Sequence, residues 1–79
     1  MEETRELTYG EKAVGLTFNP SGDSAVTNTK KYYAQIIDDM FCLRSDPRTT
    51  PEQARLYSIA ITEAQAAQMW AVKAITWKD

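Results

Sequence analysis

The sequence predicts an all-α protein, an antiparallel helical hairpin preceded by a short irregular N-terminal arm. Three observations carry this. Residues 24–43, SAVTNTKKYYAQIIDDMFCL, place apolar or aromatic side chains at Val26, Tyr33, Ile36, Ile37, Met40 and Leu43. That is the 3.6-residue period of a helix with one buried face. The stretch RSDPRTTP at 44–51 then interrupts the pattern with turn residues and two prolines. Beyond it, the run to Trp77 carries Ala54, Ala60, Ala64, Ala66, Ala67, Ala71 and Ala74, residues of high helix propensity that let helices approach closely. A connection this short suits an antiparallel pair.

The elements follow in chain order within a single domain, residues 1–79. Residues 1–22 form the arm and a turn. TRELTYGEK suits a short helix or a turn, and VGLTF alternates Val14, Leu16 and Phe18 as a short extended segment does. FNPSGD at 18–23 holds two turn dipeptides, Asn-Pro and Ser-Gly. It ends on Asp23, whose carboxylate can accept from the unpaired N–H groups of the first helical turn. The first helix therefore spans 23–43, roughly 30 Å long. Thr50-Pro51-Glu52-Gln53 reads as a capping box with Thr at the N-cap, Pro at N1 and Gln at N3. The second helix spans 51–77, roughly 40 Å long, with Leu56, Ile59, Ala60, Trp70 and Trp77 on or near one side.

Size and composition limit what this hairpin can do alone. At 79 residues the chain is one small domain, of a size whose core seldom supplies more than about 3–5 kcal/mol. The single Cys42 rules out an internal disulfide, and the absence of histidine and of a Cys-x-x-Cys pair disfavours a structural zinc site. A two-helix hairpin cannot cover its own apolar faces together with Phe41, Met69, Trp70 and Trp77, so self-association is expected. Core or interface packing is the expected role of Trp70 and Trp77. Cysteine usage suits a reducing compartment. The acidic start MEETRE is unlike a signal peptide and no apolar run reaches the length of a membrane span. The expected location is the cytoplasm, with no membrane contact. A net charge of −2 without long runs of one sign argues against binding to polymeric DNA or RNA.

Catalytic chemistry finds little support. Cys42 has no histidine to act as its base and is expected to be a buried structural thiol. Asp38 and Asp39 are neighbours on a helix and diverge by about 100°, which disfavours metal or acid–base work. Gly10, Gly15 and Gly22 do not have the spacing of a phosphate-binding loop. The sequence therefore predicts no enzyme, no metal and no cofactor. Binding is better supported. Phe18, Tyr9 and Tyr57 offer faces on which a planar ring can stack. Lys12, Lys30, Lys31 and Arg55 offer cations for phosphate, and Asn19 can donate and accept at once.

The stretch GLTFNPSGDSAVTNTKKYYAQIID, followed by RLYSIAITEAQAAQMWAVKAIT, resembles the helical-hairpin family of phage proteins that defeat CBASS and Thoeris immunity. The resemblance covers about positions 15–76. Its most specific parts are FNPSG (Phe18 to Gly22), the run from Lys30–Lys31 to Ile37–Asp38, and MWAVKA (Met69 to Ala74). RELT at Arg5 to Thr8 is similar to the start of the anti-CBASS branch, whereas FNPSG is closer to the anti-Thoeris branch. The resemblance implies a sponge that sequesters a cyclic nucleotide signal, either cyclic oligonucleotides or cyclic ADP-ribose isomers, without cleaving it. It also implies a homo-oligomer, commonly a hexamer, with pockets between protomers. On this reading Phe18, Tyr9 or Tyr57 stacks on a base, Asn19 bonds base or ribose, and Lys12, Lys30, Lys31 and Arg55 hold phosphates. The alternative from the residues alone is a small oligomerising structural or adaptor protein that binds a protein partner through its Ala-rich helix face. A transcription regulator is disfavoured by the acidic charge and the lack of a basic recognition helix.

Overall fold

The computed structural model describes residues 5–79, so the first four residues of the arm lie outside it. Three helices make up the described chain: α1 (Tyr9–Val14), α2 (Ser24–Arg44) and α3 (Pro51–Ile75). No strand occurs among the described residues.

α2 and α3 form the hairpin. Asp23 caps α2, its Oδ1 accepting from the Ala25 N–H at 2.8 Å. Thr50 and Gln53 form the reciprocal capping box at the start of α3: Gln53 N donates to Thr50 Oγ1 at 3.1 Å, and Thr50 N donates to Gln53 Oε1 at 2.9 Å. The pairing is antiparallel. Near the loop, Arg44 Nη1 donates to Ser58 Oγ at 2.9 Å, and at the open end Val26 and Lys30 face Val72 and Thr76 across a shared hollow.

The arm is more ordered than the irregular segment expected for it as a whole, and of the two readings of TRELTYGEK it is the short helix that forms. It contains α1, which has a capping box of its own: Thr8 Oγ1 accepts from Glu11 N, while the Glu11 carboxylate accepts from Thr8 N. Arg5 holds that carboxylate with two parallel bonds of 2.8 Å. α1 crosses α2 at Gly10, where a Cβ would overlap the Ala34 carbonyl oxygen. Only a bare backbone fits there, and the Gly10 N–H donates to Asp38 Oδ1 at 2.7 Å.

VGLTF is likewise not an extended segment. Val14 ends α1, and Gly15 adopts the left-handed conformation at φ 63. The N–H of Leu16 then reaches the Glu11 carbonyl, and that of Gly15 the Lys12 carbonyl. This is the Schellman stop, which glycine favours because it has no Cβ to clash. The alternation of Val14 and Leu16 reflects two inward contacts on either side of a chain reversal, not a strand.

The core is small: Val14, Ala34, Ile37 and Ile61, with Ala13, Leu16, Tyr33, Met40 and Ala64 packed around it. The Cα atoms fill a slab of 45 × 39 × 12 Å with a radius of gyration of 14.4 Å. A compact domain of this length would have a radius near 12 Å. The slab is little more than one helix thick, so its broad faces remain uncovered. Trp70, Met69 and Trp77 are 67%, 67% and 63% exposed, which removes the tryptophans from the chain's own core. Cys42 is also exposed, contrary to the expected buried thiol. It falls one position from Phe41, on the outward side of α2.

Candidate ligand-binding cleft

One feature of the slab gathers polar chemistry. Where the Schellman turn after α1 meets the facing surfaces of α2 and α3, a cleft of about 620 Å³ opens. α1 and its turn supply Lys12 and Phe18, α2 supplies Lys30, and α3 supplies Gln65, Gln68, Met69 and Lys73. The volume lies within the usual range for small-molecule sites.

Lys30 organises this place. It is 5% exposed, and its ammonium donates to the Gly15 carbonyl at 2.9 Å and to the Phe18 carbonyl. An ammonium has three protons, and these bonds use two of them. The same Nζ lies 5.5 Å from the centre of the Phe18 ring, in range for a cation–π contact. Lys30 therefore ties down the turn that carries Phe18. The ring itself is 69% exposed, which is inconsistent with its acting as a staple packed onto α2.

Asn19 completes the turn from the other side. Its amide donates to the Asp23 carbonyl at 2.9 Å and to Thr27 Oγ1 at 3.0 Å, and its oxygen accepts from Ser21 Oγ at 2.7 Å. Both of its donors are used within the chain, which leaves one acceptor position. Behind the ring, Phe18, Asn19, Pro20, Val26, Val72 and Thr76 line a second hollow of about 220 Å³.

Of the eight residues singled out in the sequence, Phe18, Lys12 and Lys30 converge on the cleft and Asn19 buttresses it. The other four stand elsewhere on the chain. Lys31 is exposed on α2, one position round the helix from Lys30. Tyr9 stacks on Phe41, with ring centres 4.4 Å apart and an interplanar angle of 15°. The Arg44 guanidinium lies over both of those rings, at 5.9 and 5.4 Å. Arg55 is engaged by Glu52 through bonds of 3.0 and 2.6 Å on the first turns of α3. Tyr57 lines a shallow hollow at the hairpin loop with Asp46, Arg48 and Gln53.

Sequence reasoning missed Gln65, Gln68, Met69 and Lys73. Lys73 was masked by the tryptophans. Its Nζ lies 5.2 Å from the Trp70 ring centre and 5.8 Å from that of Trp77, at the junction of the cleft and the apolar face. Gln68 carried a readable signal, since it falls two turns after the buried Ile61 and is a polar residue on the inward stripe of α3.

Among the described residues no group of three or more His, Cys, Asp and Glu side chains is arranged to hold a metal ion, and no helix is long and apolar enough to cross a membrane. The fold and cleft together define a helical-hairpin domain with a cationic, aromatic-rimmed hollow. The chain belongs to the Acb2/Tad1 family: the hairpin domain of that family matches residues 11–76, well over half of the sequence. No curated protein and no solved structure matches it. The family is that of the anti-CBASS and anti-Thoeris sponges, which act against host immunity by sequestration and not as enzymes.

Proposed function

We propose that this chain assembles as a homo-oligomer, as a hexamer if it follows its family, and captures a cyclic nucleotide immune signal in the Phe18–Lys30 cleft without cutting it. The observation that carries this reading is the meeting of Lys12, Lys30 and Lys73 with an exposed phenyl ring and two glutamine amides on one cleft, in a chain whose net charge is −2. Cations concentrated against an acidic background suit a small anion with planar rings. Phe18 stacks on a base, the lysines hold phosphate, and Asn19 keeps the turn in shape with one acceptor to spare. Lys31, Arg55, Tyr57 and Tyr9 would reach a ligand only across a protomer boundary. The mechanism is stoichiometric capture in the host cytoplasm: affinity must exceed that of the host effector, and enough protein must be made to lower free ligand. Self-association is supported by the thin slab and by the exposed Met69, Trp70 and Trp77. That same apolar strip is what favours the second reading, an adaptor whose protein partner covers it.

Calorimetry against cyclic dinucleotides, cyclic trinucleotides and cyclic ADP-ribose isomers tests this, followed by recovery of the ligand after heating. Unchanged ligand coming off the denatured protein is expected. Phe18→Ala should weaken binding by about 1–3 kcal/mol, up to two orders of magnitude in Kd, with an unchanged melting temperature because the ring packs on little. Converted ligand would sink the sponge reading, and no binding to any of the panel would favour the adaptor.

A further inference from the structure

Among the described residues two polar side chains are buried, Lys30 and Gln68, each 5% exposed, and both line the same cleft. Their situations differ. Lys30 is satisfied by two carbonyls. Gln68 makes no hydrogen bond among the described residues, although Gln65, one turn earlier on the same helix, reaches the Ala13 carbonyl at 3.5 Å. Yet among the described residues no sealed side-chain nitrogen or oxygen lacks a partner. The Gln68 amide therefore keeps what surface it has, and that surface opens into the cleft. Its position, on the inward stripe that begins with Ile61, is one where an apolar side chain would pack without penalty. An amide held there with no partner from the chain is open to one from outside it.

We propose that Gln68 is the specificity residue of the cleft, making a two-point contact to a nucleobase edge that offers a donor beside an acceptor. The proposal rests on the cyclic nucleotide reading above and deepens it. A glutamine amide presents one acceptor oxygen next to an N–H donor. Adenine meets that pair on either edge, because its 6-amino group lies between two ring nitrogens, and amide-to-adenine pairing is a standard form of base readout. Guanine offers such a pair only on its Watson–Crick edge, where O6 stands beside N1–H; its N7 edge offers two acceptors, which would leave the Gln68 oxygen unpaired. Adenine therefore meets the amide whichever edge it turns to it, and the ligand expected in the cleft bears adenine, with its phosphates toward Lys12 and Lys73 and its ring on Phe18.

The test uses Gln68→Met, which keeps the length and removes the amide. Without ligand this variant should melt at or above the wild-type temperature, because an unbonded buried amide is replaced by an apolar chain. Its affinity for cyclic di-adenosine monophosphate should fall about tenfold to a hundredfold, the range of a two-point base contact. An analogue lacking the 6-amino groups should lose affinity for the wild type and lose nothing further for the variant. A variant that melts earlier, or that binds cyclic di-adenosine monophosphate as the wild type does, overturns the assignment while leaving the cleft reading intact. A wild type that binds no cyclic nucleotide overturns both.

Discussion

Replacing Lys30 with methionine separates a cation that builds the cleft from one that merely lines it. The substitution keeps the buried stem and deletes the ammonium that joins the Gly15 and Phe18 carbonyls. Hydrogen bonds to a charged group contribute about 1.5–3 kcal/mol each. Relief of the buried charge offsets part of that loss, and water entering the cleft can rescue the freed carbonyls. A net loss of about 2–3 kcal/mol remains, most of what a chain this size has to spare. At about 4–8 °C per kcal/mol for a domain of this length, melting should fall by on the order of 10–20 °C. The control is Lys31→Met. Lys31 is adjacent but exposed, and its loss should stay within about 0.5 kcal/mol. Both variants are melted by circular dichroism at one fixed protein concentration, since association couples to stability. Amide exchange at Gly15–Phe18 reports the turn directly and should speed up in Lys30→Met alone. If the two variants melt together and exchange alike, Lys30 does not hold the arm, and the placement of Phe18 must have another cause.

Three further outcomes follow from the packing. Gly10→Ala should lift α1 from α2, because the added Cβ meets the Ala34 carbonyl. The cost should be about 1–3 kcal/mol, and trypsin should cut after Lys12 faster than in the wild type. Glu11 is held down to about 2 from the usual 4.5, first by the Arg5 guanidinium and then by the Thr8 N–H. A carboxylate whose folded value is depressed stabilises fully above its unfolded value and loses that contribution as pH falls. The order of α1, followed through the Thr8 and Gly10 amide resonances, should therefore hold at pH 5 and fade between about 4.5 and 2, and Glu11→Gln should remove this dependence. Trp70→Glu places a charge on the exposed apolar strip, so sedimentation at micromolar concentration should shift toward the monomer. An unchanged profile would place the oligomer contact elsewhere.

The hairpin was legible from the sequence because its signals are local. Thr50-Pro51-Glu52-Gln53 starts α3 wherever it stands, since every bond of a capping box closes within four residues, and Asp23 caps α2 for the same reason. The 3.6-residue stripe told the inward side of α2 only in part: Val26 and Ile37 are buried there, whereas Ile36 and Leu43, counted in the same stripe, are exposed. α1 had an equally local cap in Thr8 and Glu11, but a helix of 6 residues is too short to show a period. It is stable because Gly10 docks on Ala34 and Asp38, residues from a different element. The misread of VGLTF has the same origin: alternation in sequence cannot distinguish a strand from a chain that reverses at Gly15.

The cleft divides in the same way. The sequence by itself determined that Phe18 would stand in a rigid turn ahead of a helix, with lysines close by, because the turn residues and the helix start are neighbours in the chain. The tertiary structure alone decided which lysine turns inward. Lys30 and Lys31 differ by one step of the helix, and only the packing of α1 and α3 makes one of them buried. It also decided that Gln68 and Lys73 complete the cleft, whereas Tyr57, eleven positions before Gln68 and so about 16 Å down the same helix axis, looks into the hairpin loop. Periodicity places a residue on a face of its own helix. The identity of what faces it, and hence whether a polar group is satisfied or left open to a ligand, is set by the neighbouring elements.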